Sequence, residues 1–188
     1  DGSLDQWTVL TGGSIPTNIY AVTESFGRLV ALSDDSYAWS KIDDGTDFSP
    51  STATGAGSQS LSIIGSTCTC GPLGVLRTND GFIVYTTTGS VKARGVNSVV
   101  RFHHRVMTER RIPINPFCLL EMDDDQHVIL TRTGFFKTVG EQFEPWQTFM
   151  GEYFHRDLLP NFDLVNNQNS FRLYTDFDRS WFIVSVAQ

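Results

Sequence analysis

A short hairpin pattern recurs four times along this chain and restricts its fold more than any other feature. Each copy is an apolar run, a brief polar turn and a second run with aromatic residues; the copies begin at Arg28, Gly81, His127 and Phe171. Their spacing of roughly 45 to 55 residues is the length of a four-stranded propeller blade. One hairpin cannot bury both faces alone, whereas stacking against neighbouring copies buries them. We therefore predict an all-β, β-propeller-like fold, complete or partial, built of repeated hairpins; a β-sandwich of the same hairpins is the alternative.

The two middle hairpins share a Thr-Gly pair at their turns, Thr88-Gly89 and Thr133-Gly134. Glycine tolerates the positive φ that tight hairpin turns require, so we expect it at both glycines. Residues 49–66 are rich in Ser, Thr, Gly and Ala. We interpret them as a loop that leads into a strand at Leu61–Ile64.

The size of the chain is that of one folded unit. Its 188 residues, of which 40% are hydrophobic, predict a single all-β domain over residues 1–188. The sequence opens at Asp1 without a methionine, and we expect it to be a fragment of a longer polypeptide. No apolar run approaches the roughly 18 residues of a membrane span, so no membrane span is predicted.

Charge and cysteine content argue against a general nucleic-acid binder and against a disulfide-stabilised fold. The net charge of −7 argues against a general nucleic-acid binder, although an acidic surface can let DNA pass without gripping it. The cysteines are Cys68, Cys70 and Cys118, an odd number with two of them one residue apart. This is a poor disulfide framework, and we expect reduced, buried thiols.

Acidic turns are the first candidates for chemistry. Asp43, Gly45 and Phe48 have the Asp-x-Gly-x-x-aromatic spacing of the Asp-box turn in sialidase-type propellers, but Ser40 lies one place too early for that motif. We predict a structural turn in which the motif aspartate, Asp43, accepts backbone N–H bonds and Gly45 takes the strained position, with a calcium site as the alternative. Asp34-Asp35 and the run 123–125 predict solvated turns, because adjacent carboxylates seldom converge on one cation.

Histidines and arginines give no metal or catalytic signature. His103 and His104 are neighbours on a predicted strand, so they face opposite sides and do not ligate one metal together. We expect the basic cluster to face an acidic neighbour or solvent; it comprises Arg101, Arg105, Arg110 and Arg111. The sequence thus predicts no catalytic, cofactor-binding or metal-ligating residue and no cofactor.

A glycoside hydrolase remains the main enzymatic alternative. It would need two converging carboxylates, and the best single candidates are Asp43, Asp123 and Glu152. The tryptophans are expected in the core, or on the surface as platforms for sugar rings; they are Trp7, Trp39, Trp146 and Trp181.

Three further stretches resemble one protein family. One stretch is similar to bacteriophage tail nozzle and hub proteins, which lie below the portal of short-tailed phages. It consists of residues 28–32, Tyr37-Ala-Trp-Ser40 and the Asp44-Gly-Thr-Asp-Phe48 turn. A second group of segments resembles a later blade of that family: Ile114-Asn-Pro-Phe117, the strand 127–130, Arg132-Thr-Gly-Phe-Phe136 and Glu144-Pro-Trp146. Its last hairpin resembles residues 174–184, with Asp178-Arg-Ser-Trp-Phe182.

The resemblance implies a structural protein of the virion tail, assembled in the host cytoplasm, and no catalysis. Its partners would be copies of itself in a ring, neighbouring tail or portal proteins, and DNA that passes through the channel without specific binding. Acidity fits this role, because a negatively charged channel repels the phosphate backbone. The alternative function is that of a carbohydrate-binding or glycoside-cleaving β-propeller.

Overall fold

The computed structural model describes residues 15–64, 71–96, 101–107, 111–122, 126–146, 152–153, 156–157, 161, 167–176 and 181–186. The prediction of an all-β fold of repeated hairpins is confirmed: three four-stranded antiparallel sheets and a two-stranded hairpin follow one another along the chain. In each sheet, strands that are consecutive in sequence are also neighbours in space.

The strands divide among these units in chain order. The first sheet contains β1 (Ala21–Ser25), β2 (Arg28–Leu32), β3 (Ser36–Trp39) and β4 (Gly57–Ser60). The second contains β5 (Pro72–Thr78), β6 (Gly81–Thr86), β7 (Ser90–Val96) and β8 (Arg101–Val106). The third contains β9 (Leu119–Glu121), β10 (His127–Thr131), β11 (Gly134–Val139) and β12 (Gln142–Pro145). The last hairpin contains β13 (Phe171–Asp176) and β14 (Trp181–Val186).

All four hairpins that the sequence predicts are present, as β2–β3, β6–β7, β10–β11 and β13–β14. The predicted strand at Leu61–Ile64 is wrong. These residues form a short helix, α1, and the strand lies just before it as β4. The chain also forms 3-10 turns at Pro116–Cys118 and Gln168–Ser170. Within the described residues, every helix is too short to cross a membrane.

Consecutive sheets stack face to face. Val30 and Leu32 of the first sheet pack against Phe82 and Val84 of the second. The next residue along β6, Ile83, lies on the opposite face and packs against the third sheet. This alternation explains why every residue of β6 is buried, since strands covered on both faces are apolar throughout.

The third sheet is likewise covered on its second face. There Val128 and Leu130 of β10 pack against Phe171 and Leu173 of β13. The free face of the first sheet holds Ala31 and Ala38 and is covered by Phe48, which follows β3 in the chain. Neighbouring sheets in chain order therefore bury each other's faces, and the segment with Phe48 covers the remaining face of the first sheet.

First strands of successive units lie beside one another: β1 contacts β5, β5 contacts β9 and β9 contacts β13. They begin at Ala21, Pro72, Leu119 and Phe171, so successive starts are 51, 47 and 52 residues apart. The last hairpin therefore occupies the place of the first two strands of a fourth unit. Neighbouring first strands are typical of a radial, propeller-like arrangement, in which the innermost strand of each blade lies nearest the axis.

A hydroxyl group closes the second turn of each sheet. Ser33, Thr86 and Thr131 each donate to the carbonyl oxygen of the residue three positions later, at 3.0, 2.8 and 2.9 Å. Gly134 has the predicted positive φ, at 125°. Gly89 does not, because there Thr86 Oγ1 also accepts from the Gly89 amide and closes the turn without left-handed backbone.

Candidate functional site

A buried histidine joins the second and third sheets. His127 is fully buried, and its Nε2 lies 2.6 Å from the Arg77 carbonyl oxygen. A carbonyl only accepts, so Nε2 bears the proton and Nδ1 accepts from the Tyr85 hydroxyl at 2.8 Å. Burial raises the pKa of Tyr85 well above its ordinary value. Both ring nitrogens of His127 are therefore used in holding two sheets together.

A second tyrosine–histidine pair joins the first and second sheets. The Tyr37 hydroxyl forms a hydrogen bond with Nε2 of His104, and Tyr37 packs edge-on against Phe82 at 5.2 Å between ring centroids. Burial lowers the pKa of His104. His103 is exposed on the other side of β8, as the sequence predicts.

Charged residues of β7 link the second and third sheets. Lys92 is only 4% exposed and lies 3.0 Å from Asp80 Oδ1, while Arg94 Nε lies 2.8 Å from Asp80 Oδ2. Arg94 and Arg105 both pair with Glu141, which lies in the turn before β12. Partial burial raises the pKa of Asp80, but hydrogen bonds from Lys92 and Thr78 outweigh it, so the pKa lies below its ordinary value. The Asp80 pairs lie within the second sheet, and the contacts to the third sheet are the two ion pairs of Glu141 and the hydrogen bond from Lys92 Nζ to the Gly140 carbonyl oxygen, at 3.4 Å.

Members of the basic cluster thus have different environments. Arg105 faces an acidic neighbour, as expected, whereas the Arg111 guanidinium lies over the Phe136 ring at 4.2 Å from its centroid. The Arg101 side chain and Arg110 lie outside the described residues.

The acidic turn after β3 is structural, as predicted, but the described acceptor is Asp44 and not the motif aspartate Asp43. Asp44 Oδ1 accepts from the Thr46 amide at 3.1 Å and from its hydroxyl at 2.7 Å. These hydrogen bonds lower the pKa of Asp44. The positive φ belongs to Asp43, at 55°, and not to Gly45 as expected, because the Asp43 amide is turned toward the Gly27 carbonyl oxygen at 2.7 Å. The turn delivers Phe48 to the face of the first sheet.

Arg28 is a buried arginine at the start of β2. Its Nη1 donates to the carbonyl oxygens of Ser40 at 2.7 Å and Thr54 at 3.2 Å, so it ties the long loop between β3 and β4 to the sheet. Burial lowers its pKa, and the Asp43 carboxylate partly offsets that effect.

Cys118 is a buried free thiol, as predicted, and burial raises its pKa to about 12. Cys68 and Cys70 lie outside the described residues.

Trp39 is 9% exposed and packs edge-on against Phe102, so it is a core residue. Trp146 packs against the third sheet; Trp7 and the Trp181 side chain are not described.

The carboxylates considered for glycoside cleavage are not brought together by any described contact. Asp43 and Glu152 are exposed, and Asp123 lies outside the described residues with the rest of its acidic run. Asp34 accepts from Asn18, at 3.2 Å, and from Tyr20, and these bonds lower its pKa. In the part of the chain that the structure describes, no three His, Cys, Asp or Glu residues are grouped to hold a metal.

Sequence reasoning did not single out Arg28, Lys92 or the partners of His127. Each binds groups 12 to 50 residues away, including main-chain carbonyls, which no local pattern reveals. A usable signal was the position of charged residues within otherwise apolar strand patterns, where burial requires a partner.

Comparison with protein-family models and with curated proteins finds no match to this chain.

Proposed function

We propose that this chain is a structural component of a bacteriophage tail, of the nozzle or hub type, which acts through contacts between subunits. The observation that supports this best is the stacking of repeated sheets with their first strands side by side. Two stretches that resemble the phage family include part of a third strand. Tyr37-Ala-Trp-Ser40 covers the end of β3, and Arg132-Thr-Gly-Phe-Phe136 covers the second turn of the third sheet and the start of β11.

The polar contacts between sheets support a mechanical role. Four side chains form contacts across sheet boundaries: His127, His104, Lys92 through the Gly140 carbonyl oxygen, and Arg105 through Glu141. A subunit of a ring that conducts DNA must keep its shape under load, and cross-sheet hydrogen bonds and ion pairs resist sliding of one sheet past the next.

In this proposal the ring consists of copies of the chain, contacts neighbouring tail or portal proteins, and encloses a channel for DNA ejection. The virion tail is its location, after assembly in the host cytoplasm. The net charge of −7 suits a channel that repels phosphate and binds no DNA sequence. Acidic residues are expected on the channel side, and a channel lined by basic residues would contradict this part of the proposal.

Native mass spectrometry with negative-stain imaging tests the proposal. It predicts a closed ring that contains a whole number of copies of the polypeptide to which this chain belongs. A single chain at every concentration tested would contradict it.

A glycan-hydrolysis screen on the same sample tests the enzymatic alternative. It compares the natural chain with a variant that combines Asp43→Asn, Asp123→Asn and Glu152→Gln. Cleavage that the variant loses, while its melting temperature is unchanged, would favour the glycoside hydrolase.

A further inference from the structure

Equivalent residues of three first strands lie on the face that points back along the series of sheets. They are Val22 of β1, Val75 of β5 and Leu119 of β9, and each pairs with the residue two positions before the hydroxyl residue that closes the second turn. Val75 and Leu119 pack against the preceding sheet. Val22 holds the same place but is 54% exposed. The series of sheets therefore has an uncovered end at β1.

This end presents an apolar surface with an acidic edge. The segment with Phe48 covers the face of the first sheet where Ala31 and Ala38 lie, and leaves the part formed by the first strand exposed. Tyr20 lies two residues before Val22, on the same side of the strand, and is also exposed. We call Tyr20 and Val22 the leading face.

The last hairpin presents the other end of the series. Phe171 and Leu173 of β13 pack against the third sheet, so the residues between and after them, Arg172 and Tyr174, lie on the side that points away from it. Tyr174 is 45% exposed, and Arg172 stacks on the exposed ring of Phe117. We call Phe117, Arg172 and Tyr174 the trailing face.

The two faces are of the kinds that pack together inside the chain. At each internal boundary, the side of one unit that points forward packs against the side of the next unit that points back. The leading and trailing faces do not cover each other within one copy, because Val22 and Tyr174 are both exposed. A second copy supplies each face with the kind of surface that its internal equivalents already contact.

Composition and charge favour this pairing. Tyrosine and arginine are enriched among the residues that dominate protein interfaces, and the two faces contain both. Asp34 accepts a hydrogen bond from Tyr20, so a carboxylate borders the leading face, whereas the trailing face carries Arg172. Opposite charges favour a leading face against a trailing face over two faces of the same kind.

We propose that the leading face of one copy binds the trailing face of a second copy, head to tail. Tyr20 and Val22 pack against Phe117 and Tyr174, and Arg172 lies toward the acidic edge of the leading face. Head-to-tail contacts repeat from copy to copy and close into a ring when the rotation between copies allows it. The inference rests on the proposed function for that closure, whereas the contact itself requires only this chain.

Sedimentation velocity over a range of chain concentrations tests the contact. We expect Val22→Lys and Tyr174→Lys each to raise the dissociation constant at least about 10-fold, because an apolar side chain is no longer buried at the contact. Both residues are exposed in one copy, so both variants should fold, which circular dichroism checks. Lysine also makes the net charge less negative, so weaker association would not follow from greater overall repulsion.

Val139→Lys is the matched control. Val139 is an exposed valine at the end of β11, outside both the leading and the trailing face. The substitution and the change in charge are the same as in Val22→Lys. It should leave the dissociation constant unchanged.

Photo-cross-linking identifies which surfaces meet. Tyr174 is replaced by p-benzoylphenylalanine, and isotope-labelled and unlabelled chains are mixed before irradiation. Mass spectrometry of the cross-linked peptides should show position 174 joined to the peptide that contains Tyr20 and Val22. The two joined peptides should come from differently labelled chains, which identifies a contact between copies.

Three results would overturn the proposal. One is a chain that stays monomeric up to about 1 mM, weaker than a specific interface of use. Another is an equal effect of Val22→Lys and Val139→Lys on association. The third is cross-linking of position 174 to the leading face within single copies, which would assign the two faces to closure of one chain on itself.

The contact and the proposed function fail separately. A native ring that forms equally well in Val22→Lys and Tyr174→Lys would contradict the contact and leave the tail function in place. Self-association through the two faces, in a polypeptide whose native assembly contains no ring, would support the contact and contradict the tail function.

Discussion

Replacement of Gly81 by alanine should destabilise this fold far more than alanine at other glycines. Gly81 begins β6 with φ at 155°, a conformation that residues with a side chain rarely adopt. An added Cβ would overlap the Ala93 carbonyl oxygen and lie 2.9 Å from its carbonyl carbon. That oxygen belongs to β7, which pairs with β6 through Phe82 and Ala93. The clash therefore cannot be relieved without disturbing the centre of the second sheet.

The magnitude has two parts. The backbone conformation costs an alanine about 1 to 3 kcal/mol, and the steric overlap adds about 1 to 3 kcal/mol. Gly134 separates them, since its φ is 125° but an added Cβ would have no atom within 4 Å. Gly134→Ala should therefore lose only the first part, about 1 to 3 kcal/mol. Gly45 has ordinary φ and a Cβ contact of 3.7 Å, so Gly45→Ala should change stability by about 0.5 kcal/mol or less.

Thermal unfolding followed by circular dichroism, with urea titration, measures all three variants. For a chain of this size, each kcal/mol lowers the melting temperature by about 2 to 4 °C. The expected order of loss is Gly81→Ala, then Gly134→Ala, then Gly45→Ala. Equal melting temperatures for the first two variants would refute the assignment of the Ala93 clash. An unchanged melting temperature in Gly134→Ala would refute the positive φ at that turn.

Three further changes test the packing, a partly buried ion pair and a cross-sheet hydrogen bond. Phe48→Ala should lower the free energy of unfolding by about 3 to 5 kcal/mol in urea titration, because Phe48 covers the free face of the first sheet; a loss below 1 kcal/mol would contradict this role. Asp80→Asn leaves buried Lys92 without its carboxylate and should lower the free energy of unfolding by about 1 to 3 kcal/mol, less than for a fully buried pair because Asp80 is 43% exposed. The control is Glu24→Gln, in an exposed ion pair with Arg77, which should lower it by under about 1 kcal/mol. Equal losses in the two variants would count against the Lys92 contact. Burial lowers the pKa of His104, so the contribution of this histidine to stability is present above the ordinary pKa of 6.5 and is lost as the pH falls below it. Between pH 8 and pH 5, the melting temperature of His104→Gln should therefore fall less steeply than that of the natural chain. Parallel curves for the two proteins would contradict the assignment.

The hairpins could be predicted because their signals are local. In β6–β7 and β10–β11 the apolar runs are long, and each meets a Thr-x-x-Gly turn. Burial on both faces makes such strands apolar throughout, so they are visible without knowledge of their neighbours. The stacking that causes this burial was inferred from repetition alone.

The first strands were harder to recognise. Only three residues form β9, and β1 alternates between partly buried and exposed positions. The place of β13 as a first strand depends on its contact with β9, about 50 residues earlier in the chain. The Leu61–Ile64 segment shows the same limit, because its apolar residues fit a strand or a buried helical turn equally well.

The candidate site was predicted only where it depends on short-range contacts. The acidic turn after β3 uses a partner two residues away, and the sequence indicates the turn, although the spacing assigned the acceptor to Asp43 and the structure has Asp44. The partner of His127 is a carbonyl oxygen of β5, 50 residues earlier in the chain. Such sites follow from tertiary stacking, which hydrophobic periodicity does not specify.

Electron cryo-microscopy of the native assembly tests the proposed role most directly, because one map gives both the arrangement of copies and the order of sheets within each. The account predicts a closed ring around a channel wide enough for double-stranded DNA, with acidic residues on the channel side. Within each copy, β1, β5, β9 and β13 should lie side by side. Particles of one chain, or a ring whose channel is lined by basic residues, would contradict the account.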